Sequence, residues 1–139
     1  MEGLVAMSKR MTKDELQESM GAFKPAGHAV IALENDEVAG EARKALVDAG
    51  VDEQDILTFT SAELFPDLKD MMRNASGASG FGYEIVLMRR YMTIASEGAG
   101  WLVVYAPEEA ITAKVAEVAK RLNAKTAVRY GDFMHEDLV

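Results

Sequence analysis

Residues 29–59 read AVIALENDEVAGEARKALVDAGVDEQDILTF. The five apolar residues at 29–33 suit a strand covered on both faces. Asn35 then offers a side-chain oxygen to the backbone of a first helical turn, and Asp36 and Glu37 suit the positive end of that helix. Val38, Ala42, Ala45, Leu46 and Ala49 recur at steps of 4, 3, 1 and 3, which predicts a helix over 36–49, and Gly50 supplies a left-handed stop. Ile56 to Phe59 opens a second strand. The stretch is therefore a strand-helix-strand unit.

Residues 101–130, WLVVYAPEEAITAKVAEVAKRLNAKTAVRY, repeat the plan. Another apolar strand, 101–105, leads to Pro107, placed for a first helical turn. Ile111, Val115, Val118, Ala119 and Leu122 follow at the same steps of 4, 3, 1 and 3, which predicts a helix over 108–122. Asn123 stands where Gly50 stood, and asparagine is the residue after glycine best able to adopt the left-handed stop. Thr126 to Tyr130 closes the second half. The halves, 28–64 and 100–139, share periodicity, stops and order rather than identities, as a duplicated fold unit does.

Two such units predict an α+β, ferredoxin-like domain: a duplicated βαβ with a four-stranded antiparallel sheet in the order 4-1-3-2. The apolar strands 29–33 and 101–105 suit the centre. Strands 56–60 and 126–130, with Thr58, Thr60, Thr126 and Arg129, suit the edges. The helices 36–49 and 108–122 cover one sheet face, so the insertion between the halves, 65–99, must cover the other. Thr60 and Glu63 have the spacing of a capping box, and Leu64, Leu68, Met71, Met72 and Ala75 make a helical stripe after it. Beyond Ser76-Gly77-Ala78-Ser79-Gly80, a helix over about 81–96 carries one row of Phe81, Ile85, Met88, Met92 and Ala95 and a second of Leu87, Tyr91 and Ile94. That face is wider than one packing layer demands, which assigns Leu87, Tyr91 and Ile94 to a partner subunit or ligand. Residues 1–27 read as an arm, mobile to about residue 11, with a short helix opened by a Thr12–Glu15 capping box.

At 139 residues with 49% hydrophobic and 27% charged residues, one domain spanning 1–139 is expected to fold without staples. The absence of cysteine removes disulfides, thiolate metal sites and cysteine nucleophiles, and with no leader pattern it favours a cytoplasmic protein. No window has the apolar length of a membrane span. The net charge of −8, with bases scattered singly or in pairs, argues against nucleic acid as a partner.

The pattern AVIALENDEVAGEARKALVDAGVDEQDILTFTS, together with GWLVVYAPEEAITAKVAEVAKRLNA, resembles the small bacterial general-stress or heat-induced stress protein domains. The resemblance covers 28–64 and 100–130. It implies a ferredoxin-like character and carries no catalytic residue across. Many of those domains hold a glycine-zipper segment between the halves, where this chain has methionine-rich amphipathic helices.

Three groups of side chains offer chemistry. The glycines 77, 80 and 82 lie before a helix, but no strand precedes and no lysine follows them, so an interhelical hinge is the better reading than an anion site. Arg89 and Arg90 sit in an otherwise apolar helix, where a guanidinium can clamp an anion or lie over apolar surface beside Glu84 or Glu97. The C-terminal cluster Tyr130, Asp132, His135, Glu136 and Asp137 holds metal-ligand and acid-base groups, and the sheet order places His28 at the same end as His135. His28, Asp132 and His135 therefore form a candidate divalent metal site. The leading expectation is a non-enzymatic homodimeric module, stress-related, that binds a small ligand or a protein and needs no cofactor. The alternative is a small metal-assisted enzyme using the histidine and carboxylate cluster.

Overall fold

A computed structural model of the chain describes residues 10–18, 25–70, 83–131 and 135–139. The fold is α+β around a five-stranded, fully antiparallel open sheet. Its strands are β1 (His28–Leu33), β2 (Ile56–Thr60), β3 (Gly100–Tyr105), β4 (Thr126–Tyr130) and β5 (His135–Asp137), in the order β2-β3-β1-β4-β5. Helices α1 (Lys13–Glu18), α2 (Asp36–Asp48), α3 (Ser61–Leu64), α4 (Tyr83–Ser96) and α5 (Glu109–Arg121) surround it.

The expected four strands are thus corrected to five. β5 pairs Glu136 with Arg129 and His135 with Tyr130, so β4 lies inside the sheet and the edges are β2 and β5. The buried Thr126 on β4 fits that interior position.

Local chemistry sets most boundaries. Asn35 Oδ1 accepts from the Val38 N–H at 2.9 Å and starts α2. Gly50 and Asn123, at φ of 101° and 53°, follow the ends of α2 and α5 in left-handed conformation. Both capping boxes close reciprocally: Thr60 with Glu63 at 2.9 and 3.1 Å, and Thr12 with Glu15 at 3.0 and 3.2 Å. Two details depart from expectation. Pro107 stands one residue before the α5 cap Glu108 rather than in the first turn. The stripe expected from Leu64 onward is broken at Phe65, because Pro66 disfavours helical backbone in the residue before it. Helical backbone resumes at 68–70; Met71, Met72, Ala75 and the glycine-serine stretch 76–82 lie outside the described residues.

The sheet divides two cores. On one face Ala29, Ile31, Leu33, Leu102, Val104 and Ala127 pack against Ala39, Ala42 and Leu46 of α2 and Val115, Val118 and Ala119 of α5. Val38, Ala45 and Ile111 are only partly buried against that core, at its margin. Gly100 allows the close approach of α2, since a Cβ there would lie 2.6 Å from the Asn35 carbonyl oxygen. On the other face Val30, Ala32, Trp101, Val103, Val128 and Tyr130 meet Phe59, Leu64, Phe65 and helix α4.

Candidate functional site

Among the described residues helix α4 is the main cover of the second face, and this decides the fate of its wide apolar surface. Leu87, Tyr91 and Ile94, expected to meet a partner or ligand, are instead 4%, 1% and 7% exposed within this chain's own core. A helix lying along a sheet face can bury both rows, and Met92 and Ala95 of the first row are buried as well. Tyr91 packs edge-on against Trp101 at 5.5 Å, and its hydroxyl lies 2.7 Å from that of Tyr130. The Trp101 indole N–H donates to Ser61 Oγ at 2.9 Å, and Ser61 donates in turn to the Ala99 carbonyl at 2.6 Å. The polar atoms of these aromatic side chains have partners inside the fold, as burial requires.

The arginines of α4 are less buried than those side chains. Arg90 is exposed, and its Nη2 donates to the Lys125 carbonyl at 3.5 Å, joining α4 to the turn before β4. Arg89 is half-buried, and its carbonyl accepts from Thr93 Oγ1 at 3.0 Å.

One end of the same face carries a row of aromatic and titratable side chains. His28 pairs across the sheet with Tyr105, their rings 5.1 Å apart, and Tyr130 meets the His135 ring edge-on at 4.7 Å. The register sets β4 between β1 and β5, so Tyr130 stands between the two histidines. His28 is 1% exposed and both ring nitrogens have backbone partners. A carbonyl can only accept, so Nδ1 donates to Ala26 O at 3.0 Å; Nε2 then accepts from the Met11 N–H at 3.1 Å. Burial pushes the ring below its ordinary pKa, against the opposing pull of the Ala26 and Pro25 carbonyls and Asp55. His28 is a neutral structural histidine that fastens the N-terminal segment. Arg10 bonds Asp55 at 2.8 Å, Met11 packs on the core, and Lys13 pairs with Glu63 at 3.3 Å and lies 5.0 Å over the Phe59 ring.

Asp132 lies outside the described residues. Among the described residues no three histidines, acids or cysteines are gathered as a metal would need.

A concave surface that sequence reading missed lies on the other side of the molecule, between the outer faces of α2 and α5. It encloses about 460 Å3 over a floor of Ala45, Ala49 and Val118. Its walls carry Glu41, Lys44 and Asp48 from α2 and Lys114, Glu117 and Arg121 from α5. These six are three acids and three bases in a chain with 23 acids against 15 bases. Among the described residues no hydrogen bond or ion pair joins any two of the six. The signal was present in the helix sequences, but it becomes visible only once the two helices are known to be neighbours.

No family model, no curated protein and no solved structure matches this chain. No helix among the described residues is long and apolar enough to cross a membrane.

Proposed function

We propose that the chain is a non-enzymatic ferredoxin-like module that works by binding a protein partner on its helix layer. The observation that carries this reading is the groove between α2 and α5, whose six ionic side chains have no partners among themselves. In folds of this type the exposed sheet face is the obvious alternative surface, but here α4, Phe65 and Met11 occupy it. Alternating signs along both walls suit a protein surface with alternating charges better than a small ligand of one sign.

Photocrosslinking in the native host tests it. A photoreactive residue replacing Ala49, on the groove floor, should give adducts, and one replacing the exposed Thr93 on α4 should not. Adducts from position 93 alone, or from neither position, would overturn the reading.

A further inference from the structure

The signs along the groove are ordered with respect to the duplication. Setting the helix stops Gly50 and Asn123 against each other aligns Glu41 with Lys114, Lys44 with Glu117 and Asp48 with Arg121. Each groove charge of α2 therefore has its opposite at the equivalent position of α5. The helices follow β1 and β3, which are antiparallel, and they run antiparallel themselves: Lys114, in the first half of α5, reaches the Gly50 end of α2. Toward Gly50, α2 reads acid, base, acid. Along the same direction α5 reads base, acid, base, from Arg121 to Lys114.

We infer that the groove is the docking surface for a second copy of this chain, turned about an axis parallel to the helices so that α2 of each copy lies on α5 of the other. Glu41 then meets Arg121, Lys44 meets Glu117 and Asp48 meets Lys114 across the interface, and symmetry makes each contact twice. The other simple rotation, about an axis running across the helices, lays α2 on α2 reversed and sets Glu41 against Asp48. Like charges disfavour that arrangement, so the pattern selects one geometry as well as one partner. The four helices become antiparallel neighbours, as in a helix bundle, and Ala45 and Ala49 keep the seam free of bulky side chains. A chain of net charge −8 is repelled by its copies over most of its surface, and this balanced groove is where two copies can approach.

The inference rests on the groove being the binding surface proposed above, and it names what binds there. Lys44 and Glu117 are both exposed, so reversing them leaves the core intact. Sedimentation velocity on the full chain at tens to hundreds of micromolar in low salt should find a dimer. Lys44→Glu and Glu117→Lys, each alone, should weaken it at least about tenfold, because each reversal creates two repulsive contacts. An equimolar mixture of the two variants should restore dimerisation, since the new acid of one chain faces the new base of the other. The double variant should dimerise as the parent does, and salt at half-molar strength should weaken every one of these dimers. Circular dichroism melts confirm that the variants fold.

A parent that stays monomeric, single reversals without effect, or a mixture that fails to recover would each overturn the inference. A monomeric parent that still yields heteromeric adducts from position 49 would overturn only the second copy and keep the groove. Dimers indifferent to both reversals, with no adduct from position 49, would overturn both readings.

Discussion

His28 has the residue type of a metal ligand and the environment of a fastener. Its Nδ1 proton is held by Ala26 O, and Nε2 is the acceptor that holds the Met11 N–H. The sequence places this histidine at the same end of the sheet as His135, and the strand register does so too. What one-letter code does not carry is that a backbone N–H seventeen residues earlier occupies the nitrogen a metal would need. Protonating Nε2 would oppose two donors, so acid should release the arm. The folded chain holds the ring below its ordinary value near 6.5, so the unfolded chain takes up the proton first as pH falls. The stability contributed by the neutral ring is therefore full above about pH 6.5, declines below it, and levels off once the folded ring protonates as well. His28→Gln retains an acceptor without the titration. Its melting temperature should lack the fall expected of the parent as the pH drops below about 6.5. An unchanged pH profile in that variant would assign the fall to other groups.

At the scale of elements, legibility tracked how local the chemistry was. Asn35, Gly50, Asn123 and the two capping boxes act within a turn of their own positions, and each is where its spacing predicted. Elements defined by partners were harder to read. β5 is three residues, His135 to Asp137, with no apolar alternation, and it exists because β4 offers its free edge. The second row of α4 looked like surplus width because its burial depends on the sheet face the helix lies against. Leu138 ties β5 to the helix-side core: it is nearly buried, and its N–H donates to the Ala127 carbonyl at 2.8 Å. Leu138→Ala should cost about 1–3 kcal/mol in urea unfolding, toward the low end for a leucine at the core margin. A loss under about 0.5 kcal/mol would mean that the fifth strand is an appendage and not part of the packed sheet.

Taken whole, the molecule has a helix-sheet-helix build. The layer of α2 and α5 holds a groove with inverted charges on its two walls. Among the described residues the other side is closed by α4, Phe65 and the fastened N-terminal segment. Both strand-helix-strand units were legible from periodicity and stops. The groove was not, because the three alignments Glu41 with Lys114, Lys44 with Glu117 and Asp48 with Arg121 acquire meaning only when the helices lie side by side. The chain has no cysteine, so one introduced thiol carries a spin label without side reactions. The most direct measurement is the distance between labels in the dimer, taken by double electron-electron resonance with Glu37→Cys, exposed one turn before Glu41 at the end of the groove, and, separately, Thr93→Cys. Packed helix layers lie about 10 Å apart, so labels at 37 should be separated by under about 30 Å and labels at 93, on the far faces, by about 40 Å or more. A short distance at 93 and a long one at 37 would place the contact on the α4 side and contradict the account.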